Sequence, residues 1–273
     1  MDPTAFTVFG ISITWYGIIL TFAMVLAVTL SMKSGKKQGF VADDFLDIGI
    51  VALPTAIICA RAYYVLFNLS SYDTIWDMIN IRQGGLAIHG GLIGGVLAGV
   101  IVAKIKKMNI IRAMDVVVPF IALAQSIGRW GNYVNQEAYG VATDLPWAIT
   151  INGQKVHPTF LYESIWDLLI FALLARKSGN KDYDGQLAAY YMILYSLGRF
   201  FIEGLRTDSL MLGNLRAAQI ASIVMIVLGI LAILIFKDRG IGPSYVTFPK
   251  GKNSYSFAKA LRKEENDRKK NGS

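Results

Sequence analysis

The sequence predicts an all-α polytopic membrane protein with seven transmembrane helices. Apolar residues make up 54% of its 273 residues and charged residues only 17%, whereas an average soluble domain is roughly a quarter charged. The charges are grouped in short clusters between apolar stretches, and those stretches are close to the roughly 17–25 residues that a transmembrane helix needs. This composition excludes a disordered chain and disfavours a soluble globular one.

Seven apolar stretches are long enough to cross a bilayer. They are residues 11–31, 45–67, 86–103, 113–129, 158–175, 186–204 and 217–236. In the third, Gly91, Gly95 and Gly99 are spaced four apart, which lets helix backbones approach closely in lipid. We therefore expect a membrane domain over 1–236, followed by a basic tail at 237–273.

The distribution of basic residues predicts the orientation. Of the 27 Lys and Arg residues, 20 lie in the alternate connections 32–44, 104–112 and 176–185 and in the tail. Since cytoplasmic loops are enriched in Lys and Arg, the N-terminus is expected outside and the C-terminus in the cytoplasm. The tail is expected to be a solvated anchor attracted to anionic lipid, and no nucleic-acid partner is expected.

Two elements are expected on the outer side. Residues 68–83 carry Trp76 and Ile79 among polar groups, which is typical of a segment lying in the membrane interface. Within the outer segment 130–157, apolar and polar residues alternate around Asn152-Gly153, which indicates a small extracytoplasmic hairpin. The lone cysteine, Cys59, is expected to be a small buried apolar residue.

Polar side chains within the spans are expected to converge near the outer leaflet, where ionisable groups usually mark function. Every span but the last contributes: Tyr16, Arg61, His89, Gln125, Arg129, His157, Tyr162, Glu163, Tyr195, Arg199, Glu203 and Arg206. On the sixth span, Arg199 and Glu203 are four residues apart and can pair. A structural ion-pair ladder between helices is the alternative reading.

This set of residues suits an anionic phospholipid. Guanidinium groups bind phosphate oxygens bidentately, and a histidine offers a base near neutral pH. The chain lacks HExxH, GxSxG and Asp-rich magnesium motifs, which disfavours a zincin, a serine hydrolase and a magnesium-dependent headgroup transferase. These residues alone leave open whether the site reacts with the lipid or transports it.

Residues 128–140 read Gly-Arg-Trp-Gly-Asn-Tyr-Val-Asn-Gln-Glu-Ala-Tyr-Gly. This segment resembles the signature of the prolipoprotein diacylglyceryl transferases at every fixed position. The stretches Trp15-Tyr16-Gly17, Arg61 to Tyr64, His89-Gly90-Gly91, His157 to Glu163 and Tyr195 to Arg206 agree as well. The resemblance runs from about residue 10 to 236 and departs at Phe160, where a polar residue is more usual.

The resemblance implies a transferase in the bacterial cytoplasmic (inner) membrane. It would move the diacylglyceryl group of phosphatidylglycerol to the lipobox cysteine of prolipoprotein signal peptides, forming a thioether and releasing glycerol phosphate. The site would open to the outer leaflet, and no metal or organic cofactor is expected.

Each candidate residue can be given a role in this reaction. His89 is the candidate base for the thiol, and Arg129 and Arg199 are the candidates to stabilise the phosphate leaving group, supported by Arg206. The remaining candidates for binding phosphatidylglycerol or orienting the arginines are Tyr16, Arg61, Asn132, Asn135, Glu137, Gly140, Tyr195 and Glu203. Of these, Gly140 is expected to serve the backbone more than the ligand.

The main alternative is a carrier or flippase for an anionic phospholipid, which would use the same arginines without chemistry. A flippase needs polar or small-residue paths through both leaflets. The inner halves of the predicted spans are almost purely apolar, which counts against this alternative.

Overall fold

A computed structural model of the chain describes residues 2–81, 84–213 and 215–238. The described residues are mostly helical. The helices are α1 (Trp15–Lys37), α2 (Ala42–Phe67), α3 (Ile75–Ile79), α4 (Ile88–Ile105), α5 (Ile110–Val134), α6 (Thr159–Lys177), α7 (Gln186–Glu203) and α8 (Ala217–Asp238). The strands are β1 (Thr4–Val8), β2 (Ile11–Thr14), β3 (Ile149–Ile151), β4 (Gln154–Val156), β5 (Met211–Leu212) and β6 (Leu215–Arg216). The predicted basic tail lies almost entirely outside the described residues.

Within these described ranges, five helices are long and apolar enough to cross a membrane. They are α1, α2, α4, α5 and residues Ala217–Lys237 of α8. Helices α6 and α7, which correspond to the fifth and sixth expected spans, are not among them. Both carry ionisable residues, Glu163 and Asp167 on α6 and Arg199 and Glu203 on α7, and these lower their apolar character.

The N-terminal boundary of the first span differs from the prediction. Residues 11–14 form β2, which pairs with β1 in an antiparallel hairpin, so the helix starts at Trp15. The turn contains Phe9 and Gly10, both with positive φ. Helix α1 then extends past residue 31 and carries Lys36 and Lys37 in its last turn, where basic side chains interact favourably with the helix dipole.

The chain divides into two compact units, and one of them is formed by residues 32–110. In this unit α2 packs closely against α4. A methyl group on Gly90 or Gly94 would collide with Cys59, and a methyl on Gly91 would meet Ala60 at 3.4 Å. Glycines of α4 therefore allow a close helix contact, but the tightest positions are Gly90 and Gly94 and not the expected stripe of Gly91, Gly95 and Gly99, where a methyl would meet α2 at 3.3–3.6 Å. Cys59 packs at this contact and is partly buried, not fully buried as expected.

The segment after α2 in this unit is ordered by short helices. A 3-10 turn covers Leu69–Ser71, and Thr74 caps α3 by accepting a hydrogen bond from the Asp77 amide at 3.2 Å. Three of the five residues of α3, Ile75, Trp76 and Ile79, are exposed apolar side chains. Residues 82 and 83 of the predicted outer element lie outside the described residues.

The described residues of the other unit are 2–31, 111–213 and 215–238. Its core lies between α5, α6 and α7, and is built from Val118, Ala122, Ile170, Leu174, Leu187 and Ala188. Short strands connect the helices: β3 pairs with β4 through Asn152-Gly153, and β5 pairs with β6. Asn152 and Gly153 both have positive φ, as the tight turn of a two-residue hairpin requires.

A buried ionic cluster sits at the N-terminal ends of α5 and α7 in this unit. The Asp115 carboxylate accepts hydrogen bonds from Lys181 Nζ and the Gly185 amide, each at 2.8 Å, and from the Ala188 amide at 3.0 Å. Lys181 also pairs with Asp184 at 2.8 Å. Lys181 is 4% exposed, so one of the basic residues counted in the 176–185 connection is buried in an ion pair and does not lie at the surface.

The buried carboxylates also correct a second expectation. The inner parts of the predicted spans were expected to be almost purely apolar, yet Asp115 of α5 is fully buried and Asp167 lies in the middle of α6. Each carboxylate faces a cation of its own unit, Lys181 for Asp115 and Arg129 for Asp167. Pairing of this kind offsets the cost of burying charge.

Candidate active site

Reciprocal hydrogen bonds set the register between α5 and α6. Ser126 Oγ donates to the Ser164 carbonyl at 2.8 Å, and Ser164 Oγ donates to the Ser126 carbonyl at 2.9 Å. The indole Nε1 of Trp130 donates to Ser164 Oγ at 3.2 Å. Small hydroxyl residues let two helices approach closely, and here they bring Arg129 on α5 beside Glu163 on α6.

A tryptophan and a glycine fix α6 against α7. Gly198 faces the indole of Trp166 so closely that a methyl group at this position would collide with the ring. The indole nitrogen also donates to the Leu194 carbonyl at 2.9 Å. This contact places Arg199, the residue after Gly198, opposite Glu163.

Glu163 is the centre of the ionic site. Its carboxylate lies 3.1 Å from Arg129 Nη1 and 3.7 Å from Arg206 Nη1, and it makes a short contact with Arg199 Nη1. The side chain is only 4% exposed, while those of the three arginines are 11–21% exposed. One buried carboxylate therefore holds three guanidinium groups together, as a phosphate group also can.

Arg199 and Arg206 each form a close ion pair with a second carboxylate, both at 2.7 Å. Arg199 Nη2 lies 2.7 Å from Glu203 Oε2, one turn further along α7, which confirms the pairing predicted from their spacing. Arg206 donates to both oxygens of Asp208, from Nε at 2.9 Å and from Nη2 at 2.7 Å. The hydrogen bonds from Arg206 hold the pKa of Asp208 below its ordinary value.

Arg206 lies beyond the end of α7 and stays charged despite its burial. Burial alone would lower its pKa, but the hydrogen bonds to Asp208 and the negative charge of Glu163 outweigh that effect and raise the pKa above its ordinary value. Arg216 supports the backbone here, because its Nη1 donates to the carbonyls of Glu203 and Arg206, the latter at 3.0 Å.

The third arginine, Arg129, has three different neighbours. Besides Glu163 on Nη1, Tyr195 Oη accepts from Nη2 at 3.4 Å and Asp167 Oδ2 lies 3.9 Å from Nε. The ring of Tyr195 stacks on that of Tyr191 with centroids 5.6 Å apart. Tyr191 in turn donates to Gln125 Oε1 at 2.7 Å, so the tyrosine beside Arg129 is anchored to both α5 and α7.

After α5 ends at Val134, the second half of the 128–140 signature forms a strained turn. Gln136 and Ala138 both have positive φ, at 53° and 57°, a region that non-glycine residues seldom adopt. The Ala138 carbonyl accepts a short hydrogen bond from the buried Thr159 hydroxyl at the start of α6. Strain of this kind often marks functional sites.

Gly140 connects the segment just before α6 with the segment just after α7. Its amide donates to the His157 carbonyl at 3.0 Å, and it forms a β-bridge with Arg206. A methyl group here would lie 2.7 Å from His157 Cβ and 3.0 Å from the Leu205 carbonyl oxygen. Glycine is therefore required for close backbone approach, as predicted, and the backbone of Arg206 is held beside the start of α6.

The other signature residues surround this turn. The ring of Tyr16, near the start of α1, packs directly on Gly131 of α5, so Tyr16 lies beside the helix that carries Arg129. Asn132 is half-buried, whereas Asn135 and Glu137 are exposed. Phe160, the position that departs from the expected pattern, is buried and stacks on Tyr133 with centroids 4.8 Å apart, so it packs between α5 and α6.

His89 and Arg61 belong to the unit formed by residues 32–110. His89 is exposed in the first turn of α4, with its ring centroid 6.2 Å from that of Tyr63. Arg61 is buried and donates four hydrogen bonds to backbone carbonyls, two of them to Met78 and Asp77 at 2.8 and 2.7 Å. The other two go to Gly84 and Gly85, so four of the five N–H groups of a guanidinium are bound by its own chain.

Sequence reasoning missed several residues of the site. It noted Glu163 as polar but not as the residue shared by three arginines, and it passed over Asp167, Asp208 and Arg216. The spacing of Glu163 and Asp167, four residues apart on α6, was an available signal. Among the described residues, no group of three or more His, Cys, Asp or Glu side chains is arranged to hold a metal ion.

Comparison with known proteins agrees with the resemblance. The family model described as prolipoprotein diacylglyceryl transferase matches residues 3–235. A phosphatidylglycerol--prolipoprotein diacylglyceryl transferase of Clostridioides difficile is 55% identical over 233 residues, covering 85% of this chain and 94% of that protein. Proteins with the same name from Finegoldia magna and Bacillus licheniformis are 49% and 46% identical, each over 88% of this chain and over 97% and 95% of their own lengths.

Proposed function

This chain belongs to the prolipoprotein diacylglyceryl transferase family, and we propose that it transfers the diacylglyceryl group of phosphatidylglycerol to the lipobox cysteine of prolipoprotein signal peptides. The chain is a transferase and belongs to a family of multi-pass bacterial membrane proteins. The transfer is the first step of lipoprotein maturation. The observation that carries the proposal is the convergence of Arg129, Arg199 and Arg206 on the buried carboxylate of Glu163.

We propose that α6 and α7 cross the membrane together with the five more apolar helices, giving seven spans. Their ionisable residues pair with one another, which offsets much of the cost of placing them in a bilayer. The excess of Lys and Arg in alternate connections supports an N-terminus outside and a C-terminus in the cytoplasm. The site would then face the outer leaflet of the cytoplasmic membrane.

The proposed reaction is a nucleophilic displacement at the carbon of the diacylglyceryl group that is bonded to a phosphate oxygen. The cysteine thiol loses its proton, and its sulfur forms a bond to that carbon while the bond from carbon to phosphate oxygen breaks. The products are a thioether and glycerol phosphate, and a thiolate is the reactive form because a free thiol has a pKa near 8.5. His89, exposed on α4, is proposed as the base that takes the proton.

The arginines are proposed to stabilise the departing phosphate. The phosphate changes from a diester with one negative charge to a monoester that carries more, and guanidinium groups placed beforehand lower the energy of that change. Arg129 and Arg199 would contact it directly and Arg206 would support them, because all three already point at one carboxylate. Losing one such donor typically costs about 10²–10³ in rate.

The remaining residues are proposed to hold the lipid or the arginines. Tyr16, Asn132 and Asn135 would bind the glycerol headgroup, while Glu137, Glu203 and Tyr195 orient the arginines, the last two through contacts with Arg199 and Arg129. Gly140 contributes through its backbone. Arg61 donates to the carbonyls of Asp77, Met78, Gly84 and Gly85, and we propose that it holds these backbone groups in place instead of contacting the lipid.

The proposal is tested with purified full-length protein in detergent, phosphatidylglycerol and a synthetic lipobox peptide, followed by mass spectrometry. We expect the peptide to gain the mass of one diacylglyceryl group. The gain should disappear when the peptide cysteine is replaced by serine and fall about 10²–10³-fold in Arg129→Gln. The exposed Arg176 at the end of α6 provides a matched control, because Arg176→Gln should leave turnover unchanged.

Two outcomes would overturn the proposal. A folded wild-type protein that retains phosphatidylglycerol but gives no lipidated peptide would favour a carrier. Equal losses in Arg129→Gln and Arg176→Gln would show that the arginine cluster has no special role in the reaction.

A further inference from the structure

A buried carboxylate beside Arg129 has no role in the reaction proposed so far. Asp167 follows Glu163 by one helical turn on α6, and its side chain is 3% exposed. Its Oδ2 atom has no hydrogen-bond partner among the described residues. Within the same described ranges, Arg129 is the cation that lies within 4.0 Å of it, with Nε at 3.9 Å. Burying a charge is costly unless it is paired, so this position calls for an explanation.

The arrangement of groups around the Arg129 guanidinium explains why a carboxylate is buried at this position. The guanidinium has a different neighbour at each nitrogen: Glu163 at Nη1 (3.1 Å), Tyr195 at Nη2 (3.4 Å) and Asp167 at Nε (3.9 Å). A phosphate group bound bidentately needs two N–H groups that lie on one edge. When the Nη1–Nη2 edge turns to a phosphate, the contacts with Glu163 and Tyr195 are lost or weakened, and the Nε contact is the one that can remain.

We propose that Asp167 is a positioning residue that holds the Nε side of Arg129 while the Nη1–Nη2 edge binds the phosphate of phosphatidylglycerol. This inference rests on the proposed function. Asp167 differs from Glu163, which contacts three arginines and is therefore shared. A carboxylate devoted to one guanidinium keeps it in place when the shared carboxylate is displaced, and a misplacement of about 1 Å can cost about 10²-fold in rate.

Three variants of the full-length protein test this role in the lipobox-peptide assay. Asp167→Asn keeps the shape and removes the charge, and we expect kcat to fall about 30–100-fold while the KM for the peptide stays unchanged. Asp167→Glu keeps the charge and should recover most of the loss. Asp184→Asn is the matched control, since Asp184 is equally buried and pairs with Lys181 at 2.8 Å; it should lower the Tm and leave kcat unchanged.

A double-mutant cycle separates positioning from general structural support. Arg129→Lys removes the Nε–H group and the forked edge but keeps the charge. If Asp167 acts through that nitrogen, Asp167→Asn should reduce kcat in the Arg129→Lys background by less than about 3-fold. Full multiplication of the two losses, or a folded Asp167→Asn with kcat within about 3-fold of wild type, would overturn the inference.

Native mass spectrometry of retained phosphatidylglycerol provides a readout that does not depend on turnover. We expect Asp167→Asn to retain the lipid about 10-fold more weakly than wild type, and Asp184→Asn to retain it equally. A wild type that makes no lipidated peptide, with weaker lipid retention in Asp167→Asn, would sink the proposed function and leave the role of Asp167 standing. Equal retention in wild type and both variants, together with an unchanged kcat, would reject that role.

Discussion

Replacing Glu163 with glutamine removes one negative charge from the centre of the arginine cluster with little change in shape. The wild-type carboxylate contacts Arg129, Arg199 and Arg206, two of them at 3.1 and 3.7 Å, and its side chain is 4% exposed. The amide of glutamine has a single acceptor oxygen and no charge. The variant therefore leaves three guanidinium groups close together without the anion that they share.

The size of the effect follows from these distances and from the burial. At 3–4 Å and an effective dielectric constant near 20, each contact is worth about 4–5 kcal/mol before desolvation is subtracted. Removing one partner from a buried ion pair costs about 3–5 kcal/mol in measured cases. We expect Glu163→Gln to lose stability in that range, with a fall in Tm of about 10 °C. Turnover should fall about 10²-fold, because the arginines no longer share one fixed position.

The assay compares the Tm and the kcat of wild type, Glu163→Gln, Glu163→Asp and Asp184→Asn in the same detergent. Glu163→Asp keeps the charge and should lie between wild type and Glu163→Gln in both quantities. Asp184→Asn also removes a buried paired carboxylate, so it should reduce the Tm while kcat stays near wild type. A folded Glu163→Gln with kcat within about 3-fold of wild type would refute the reasoning, since the arginines would not need their shared anion.

Three further predictions concern the surroundings of the site. Gly140→Ala places a methyl group 2.7 Å from a neighbouring Cβ, so we expect a loss of about 1–3 kcal/mol in thermal unfolding, whereas Gly179→Ala, with open space around it, should be neutral. Asp208 has a lowered pKa, so its pair with Arg206 stabilises the fold above the ordinary pKa of aspartate and loses this effect as the pH falls through the lowered value. Because Asp208 is half-exposed, melting curves from pH 7 to pH 3 should show at most about 1 kcal/mol of acid-dependent loss that Asp208→Asn lacks. Asp115→Asn should lower the stability by about 3–5 kcal/mol without changing the KM for phosphatidylglycerol, and a changed KM would link this buried cluster to the site.

Local helical spacing was enough to predict part of the site. Arg199 and Glu203 lie four residues apart, and the structure pairs them at 2.7 Å. The requirement for a small residue at Gly140 and a close helix contact by glycines of α4 were also predicted. In each case the relevant geometry is fixed within one helix or one backbone segment, so the pattern of residues carries it.

The central position of Glu163 could not be predicted in this way. It depends on which helices pack together and in what register, and that register is set by Ser126 with Ser164 and by Gly198 with Trp166. Nothing in the spacing of Arg129 and Arg199 along the chain indicates that one carboxylate lies between them. The position of Glu163 between these arginines results from tertiary packing.

The strand at residues 11–14 was missed for a related reason. Residues 11–14 read Ile-Ser-Ile-Thr, an alternation of apolar and polar residues that favours a strand. The segment directly precedes the apolar run of α1 and was counted as part of that span. The pairing of β1 with β2 around Phe9 and Gly10 decides the boundary. Lys181 shows the same limit for charge: its place in a basic connection does not indicate that it is buried against Asp115, on a distant part of the chain.

The charge balance of the site has a consequence for how an anionic lipid enters. The three arginines of the cluster are already paired with four carboxylates, those of Glu163, Asp167, Glu203 and Asp208. Because each guanidinium already has a negative partner, a phosphate would have to exchange with one of these carboxylates at short range. Glu163 is the carboxylate that three arginines share, and it occupies the place that a phosphate would take. Exchange there releases two or three guanidinium groups at once, whereas displacing Glu203 or Asp208 releases one. The structure thus keeps the arginines oriented, and under the proposed function Glu163 is the carboxylate that a bound phosphate would displace.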